Sequence, residues 1–403
     1  MDNTRRGFVR LAGITAGLSL AVSLAASLPA HAQGAAKGAA AQGTTQGTIK
    51  IGVITDKVGP AKPYAEPAVE GIVFGADEIN KRGGILGRKI ELLIEDDQAR
   101  PDVSAAMARK LVDAGAVFIM SMSLTPATQQ QQTVTLEAKT PQMTPMNSGD
   151  TLTTQLANPY FWQTGPLGSI QIATLLSYAR SKNLKKVALI SDNSDLGQLL
   201  ARFFRAGLEK SGIQVAIEEI VPRGSTSVDA QMQKIRAASP DAMFMAGVLT
   251  PENVLILKAY RQFGLKFPIL ASYNLSVPQY MAVAKGLLDG VAVVDAFDPE
   301  KPEAKRFVEA YTKATNAAPY NLHGYGYDGI HLVADAIKRA GGTDKEKIRA
   351  AMQATTSFQG VMGAKGMKYA FPDGKRVGFD PNGMVVRLYQ GDAIGKVIHT
   401  GQK

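Results

Sequence analysis

The chain of 403 residues has no cysteine, a single tryptophan and four histidines. Without cysteine there is no disulfide framework, no thiolate metal site and no thiol nucleophile. Four histidines offer little to a metal cluster or to general-base chemistry. Beyond the N-terminus, no apolar run approaches the length that spans a bilayer. What is present is ordinary for a globular protein. Hydrophobic residues make up 45% and charged residues 20%, which excludes wholesale disorder, and the length fits two lobes, each with its own core. The formal charge is +10, but its lysines and arginines are spread along the chain. No basic stripe with interleaved aromatics appears, so the excess reads as solvated surface and no nucleic-acid partner is expected. The composition leans towards binding and away from catalysis, and neither a cofactor nor a metal is expected.

The N-terminus carries Thr4-Arg5-Arg6-Gly7-Phe8, an apolar stretch from Leu11 to Leu28, and then Ala30-His31-Ala32. A basic head, an apolar middle and a small-x-small site make a secretion signal. The paired arginines make it resemble the twin-arginine type, which exports folded proteins to the periplasm. The alternative is an uncleaved anchor, but Gly13, Gly17 and several Ser and Thr leave the run weakly apolar for a permanent span. Residues 1–32 are therefore expected to be a cleaved signal. Residues 33–47, rich in Ala, Gly, Gln and Thr, are expected to be a flexible leader.

From Thr48 onwards short apolar runs alternate with helical periods. Ile49, Ile51, Val53 and Ile54 predict a buried strand. Val69, Ile72, Val73, Ala76 and Ile79 predict one face of a helix after Pro67. Further strands are predicted over 89–94, 117–123, 142–144, 187–191, 215–220 and 242–246, with helices between them. Helices dominate later: 303–315, 325–340 and 343–354. The turn clusters Pro372-Asp373-Gly374 and Asp380-Pro381-Asn382-Gly383 are expected to bracket a short β region. Such alternation predicts an α/β protein whose parallel sheets are covered by helices.

Several segments are more specific. They are Lys50-Ile51-Gly52-Val53, Gly59-Pro60, Tyr64, Gly71, Ala76-Asp77-Glu78-Ile79-Asn80, Gly83-Gly84-Ile85-Leu86-Gly87, Asp96-Asp97-Gln98, Thr144-Pro145, the stretch Asp192 to Gly197 and the stretch Tyr327 to Ala334. In this order, over nearly the whole chain beyond the leader, they resemble the leucine/isoleucine/valine-binding protein family, periplasmic solute receptors of ABC importers. A rival reading takes Gly83-Gly84-x-x-Gly87 as a phosphate loop. It fails on context, because these glycines follow a helix and open a strand, whereas a dinucleotide loop does the reverse.

The resemblance implies a two-lobed type I periplasmic binding protein with three hinge crossings. Residues 48–165 and 293–383 would form lobe 1; 166–292 and 384–403 would form lobe 2. The ligand would lie in the cleft, at the C-terminal ends of parallel strands. There Ser123-Leu124-Thr125-Pro126 joins a strand to a helix. Pro126 suits the first helical turn, and the amides of Leu124 and Thr125 would be free to bind an anion. By resemblance they hold the ligand carboxylate; the alternative is that Thr125 only caps the helix. Ser148, after Met146-Asn147, matches the family's carboxylate-binding hydroxyl, or is an ordinary turn serine. Met146 would line the wall. Tyr64 matches a family tyrosine that packs on the ligand, or stands at the rim.

The second lobe departs from the family's amino-acid pattern. Tyr273 stands where the family keeps a glutamate for the ammonium group, and Leu196 and Leu249 replace tyrosines. An ammonium without a carboxylate partner loses hydration uncompensated. The expected ligand is therefore a small hydrophobic carboxylate, aromatic acids included. Glu252 or Asp195 remains able to supply a substitute charge, which keeps an amino acid open. Trp162 either floors the pocket or seals the first crossing. His323 and Tyr325 are expected just before a helix that starts at Tyr327-Asp328; they reach the cleft or shape the helix start. Met120 and Met122 read as core.

The function expected from the resemblance is that of a monomeric, non-enzymatic import receptor. It would close on its ligand and dock on an inner-membrane ABC permease. The alternatives are an amino-acid-binding protein of the same transporter family, a periplasmic sensor for a chemoreceptor, and an amide hydrolase. Ser121, Ser123 and Ser148 lack the surroundings of a nucleophile elbow.

Overall fold

In the computed structural model of the chain, residues 47–247 and 252–401 are described, the side chains at 195, 196, 274, 279 and 280 excepted. The expected signal, leader and Leu249 thus lie outside the described residues, and for Leu196 only the backbone is described.

The first half alternates strand and helix: β1 (Ile49–Thr55), α1 (Lys62–Lys81), β2 (Ile90–Asp96), α2 (Pro101–Asp113), β3 (Phe118–Met122), α3 (Thr125–Glu137), β4 (Gln142–Thr144) and β5 (Phe161–Gln163). The strands form one sheet in the order β2-β1-β3-β4-β5, all parallel, with Ile51 of β1 paired to Leu92 and to Phe118. β1 and β3 are buried nearly throughout, so their apolar runs are continuous rather than alternating.

The chain then passes through α4 (Gly168–Ser181) into β6 (Lys186–Asp192), α5 (Asp195–Lys210), β7 (Gln214–Val221), α6 (Asp229–Ala238), β8 (Ala242–Ala246), α7 (Glu252–Gln262), β9 (Ile269–Ala271), α8 (Pro278–Val283) and β10 (Val291–Asp295). After α9 (Pro302–Thr315), α10 (Asn321–Ala340) and α11 (Lys345–Gln353), it closes with the antiparallel pair β11 (Val385–Gln390) and β12 (Ala393–Thr400). The second sheet runs β12-β11-β10-β9-β8-β6-β7. Its five parallel strands repeat the topology of the first sheet. In both, the first strand lies between the second and the third, and the chain changes winding direction beside it.

Several boundaries differ from the sequence reading. α1 starts before Pro67, which is accommodated because only the bond to the Pro63 carbonyl, in the first turn, is lost. α10 starts at Asn321, so His323 and Tyr325 sit inside it rather than ahead of it. The glycines that hid this start are required by packing. A Cβ on Gly326 would lie 1.8 Å from the Ala68 carbonyl oxygen of α1, and one on Gly71 would lie 2.0 Å from that of His323. The two turn clusters are 3-10 turns, and the β pair follows them instead of lying between them. The crossing expected at 292/293 falls inside β10, whose residues through Asp295 pair in the second sheet.

Met120, Met122 and Trp162 are fully buried in the first sheet's core. Trp162 meets Phe371 edge-on at 6.4 Å and lies under the Arg376 guanidinium, so it packs as core at the first crossing and floors no pocket. Each large apolar side chain buried this way contributes about 2 kcal/mol relative to exposure.

Candidate ligand-binding site

The first sheet's strand ends converge at its switch point between β1 and β3, where open α/β sheets bind ligands. The loop after β1 is held by Asp56. Its carboxylate accepts the amides of Val58 (3.1 Å), Gly59 (2.5 Å) and Ala61 (2.7 Å). That loop delivers Tyr64 into the first turn of α1, half-buried against the largest apolar cluster.

The loop after β3 is held from behind. The Ser123 hydroxyl donates to the buried Asp97 carboxylate at 2.5 Å, which also accepts from Ser104 at 2.8 Å. Gln131 of α3 donates to both hydroxyls and accepts from Gln142, which accepts from Thr135. A fully satisfied chain of this kind rigidifies what it holds. Leu124 is the N-cap of α3, in extended conformation, with Pro126 in the first turn. Thr125 is the first helical residue. It does not cap the helix; its hydroxyl donates to Asn147 at 3.0 Å. The amides of Leu124 and Thr125 meet no acceptor among the described residues, as expected for the first amides of a helix. With the helix dipole behind them they favour an anion.

The turn after β4 carries Met146, Asn147 and Ser148. Met146 packs against the cores of both sheets. The Ser148 hydroxyl accepts from Gln171 of α4 at 3.0 Å, and as acceptor it keeps its own proton to donate. Its carbonyl accepts the Gly168 amide at 2.9 Å. Gln171 was not singled out by the sequence, although it is the one amide side chain in an otherwise largely apolar α4.

On the side of the second sheet, Tyr273 begins a 3-10 turn and packs on the same apolar cluster as Tyr64, Met146 and Tyr325. Burial drives the Tyr325 hydroxyl well above its usual pKa, and the nearby Asp295 and Tyr273 push the same way, so it is a neutral hydroxyl. Glu252 is buried with one carboxylate oxygen on the Gly224 amide (2.7 Å); the other meets no partner among the described residues. Asp295 forms a buried ion pair with Arg387 at 3.2 Å and accepts from Asn321 at 2.9 Å. This joins β10, α10 and β11 where the chain crosses between sheets.

His323 takes the helix-start role. Its Nδ1 accepts the Tyr320 amide, which leaves Nε2 to donate to Glu70 of α1 at 3.1 Å. Burial holds it below the usual histidine range despite Glu70. Two concavities, of about 200 Å³ at Tyr260–Val291 and about 720 Å³ at Arg205–Glu218, lie on the second sheet and contain none of the residues singled out above.

Two α/β units of the same winding, joined by three passages of the chain, with helix-start amides at a switch point, define a type I periplasmic binding fold. Sequence comparison agrees: a family model described as periplasmic binding protein matches residues 48–378. The chain belongs to that family, and the curated relatives it resembles include proteins described as leucine/isoleucine/valine-binding. It is 28% identical over 299 residues to the Leu/Ile/Val-binding protein homolog 3 of Brucella melitensis, covering 73% of this chain and 80% of the relative. It is 26% identical over 312 residues to the leucine-, isoleucine-, valine-, threonine- and alanine-binding protein of Pseudomonas aeruginosa, covering 76% and 83%. Among solved structures, the branched-chain amino acid transporter substrate-binding protein of Streptococcus pneumoniae, in complex with isoleucine, superposes with a TM-score of 0.76 at 23% identity, covering 87% of this chain and 99% of that one. Members of the family are periplasmic substrate-binding proteins that work with ABC permeases, and they are not enzymes.

Proposed function

We propose that this protein is the exported, monomeric receptor of an ABC importer, and that its two lobes close around a small hydrophobic carboxylate, aromatic acids included. Residues 48–165 with 296–383 form one jaw, and 166–295 with 384–401 form the other. The twin-arginine motif at Arg5-Arg6 directs export. The observation that carries the reading is the pair of unengaged amides at Leu124 and Thr125, beside the Ser148 hydroxyl. They provide donors for a carboxylate, while Tyr64, Met146, Tyr273 and Tyr325 provide apolar and aromatic surface. Tyr273 closes over the ligand from the second jaw. Closure is selected only if the ligand touches both jaws, because affinity must differ between the open and closed states. The protein performs no covalent step, in keeping with a family of substrate-binding proteins.

The solved relatives in complex with isoleucine and with leucine favour a second reading, an amino-acid ligand. A Glu252 carboxylate oxygen without a partner among the described residues is consistent with it. Thermal-shift titration with 4-methylpentanoate, phenylacetate, leucine and valine separates the two. The amine-free acids should stabilise the protein more, and stronger stabilisation by leucine or valine would establish the second reading.

A further inference from the structure

Asn147 lies between two residues assigned to the ligand, and its side chain makes no contact that the ligand reading requires. It is nine-tenths buried and its side chain ties the two loops of the site together. Its Oδ1 accepts the Thr125 hydroxyl at 3.0 Å and the Gly149 amide at 2.8 Å; its Nδ2 donates to the Ser123 carbonyl at 2.9 Å. Its own carbonyl accepts from Gln163 at 2.7 Å, which anchors the turn to β5.

The bond to Ser123 has a directional consequence. The Ser123 carbonyl and the Leu124 amide belong to one planar peptide unit and point in opposite directions when it is trans. Asn147 and the Thr128 hydroxyl (3.3 Å) hold the carbonyl on one side, so the Leu124 N–H is held facing the other. The bond to Gly149 closes an Asx-type turn with Ser148 at its centre. The fit is close: a Cβ on Gly149 would lie 2.6 Å from the Thr125 hydroxyl oxygen. One side chain therefore fixes the direction of an amide on α3 and the placement of a hydroxyl on the β4 turn.

We propose that Asn147 is a positioning residue that sets the carboxylate preference of the site, by aiming the Leu124 amide and holding Ser148 beside it. The proposal rests on the carboxylate reading above. Its role is orientation, so its loss should affect a charged oxygen acceptor more than a neutral ligand of the same shape.

The test uses the 15N-labelled mature protein, with acetate and acetamide as probes and the amide resonances of Leu124 and Thr125 as readout. In the wild type both resonances should shift with acetate and respond much more weakly to acetamide. Asn147→Ala should weaken the acetate response at least tenfold and leave the acetamide response within twofold. Asn147→Ser is the second, neutral variant. Its hydroxyl can keep the turn by accepting from Gly149 but is too short to reach Ser123, so it should show the same selective loss if the alanine variant does not fold. If the wild-type resonances ignore acetate, the carboxylate reading fails and this proposal with it. If they respond in the wild type and equally in both variants, or if acetate and acetamide weaken in parallel, the positioning role is overturned and the carboxylate reading stands.

Discussion

His331 couples folding to its own protonation, a dependence that only a variant exposes. Its ring lies on α10 against Tyr327, with centroids 4.3 Å apart, and its Nε2 is 3.8 Å from Glu78 and has no hydrogen-bond partner among the described residues. Burial lowers its pKa from 6.5 to about 4; Glu78 opposes this and Arg82 adds to it. The folded state therefore favours neutral imidazole. Its contribution is complete above pH 6.5 and is lost as pH falls towards 4, at about 1.4 kcal/mol per pH unit, or about 3 kcal/mol in all. Asp328 works in the opposite sense. Burial raises its carboxyl from 3.8 to about 6, against the amides of Val361 and Met362 that pull it down. Its contribution is complete below pH 3.8 and lost as pH rises through 6, again by about 3 kcal/mol. The two nearly cancel between pH 4 and 6, so the wild type conceals both. Urea unfolding of wild type and His331→Gln at half-unit steps from pH 7 to 4 exposes the histidine. The variant should gain about 3 kcal/mol relative to wild type across that range. Parallel curves would refute the assignment of a neutral buried imidazole.

Ser148→Ala should weaken binding of 4-methylpentanoate by about 1 kcal/mol or more in calorimetry; unchanged affinity would remove Ser148 from the ligand. Tyr273→Glu should shift preference towards leucine over its amine-free analogue, and an unchanged ratio would show that Tyr273 does not face the ligand's amine position. Arg387→Leu should destabilise the protein by about 3 to 5 kcal/mol in chemical unfolding, because it strands the buried Asp295 carboxylate. A loss below about 1 kcal/mol would mean that Asp295 takes a proton instead.

The strands were legible where both faces are buried and apolar: β8 begins and ends where its apolar run does. The first turn of α10 was not legible, because Gly324 lowers helix propensity; a Cβ there would lie 2.4 Å from the Met362 sulfur. α3 carried no useful apolar period, since its buried face is Thr128, Gln131, Gln132 and Thr135, and its partners Asp97, Ser104 and Gln142 are remote in sequence. The alternation ended the second strand at Ile94, two residues short of Asp96, and Asp96 and Thr144 were singled out through the family resemblance. Asn147 and Gln171 were not readable as parts of the site. Each acts through a hydrogen bond to a residue more than twenty positions away, and nothing in the local pattern of either segment specifies such a partner.

The closing hairpin also protects the strand before it. All five residues of β10 are buried, and β11 covers the side of β10 that β9 leaves open. A chain terminated ahead of Val385 would expose an apolar strand with unpaired amides and carbonyls, a template for intermolecular sheet growth. Premature termination or C-terminal clipping at that point should therefore give self-associating material rather than a shorter working receptor, so expression tags at this end need to leave residues 385–400 free to pair.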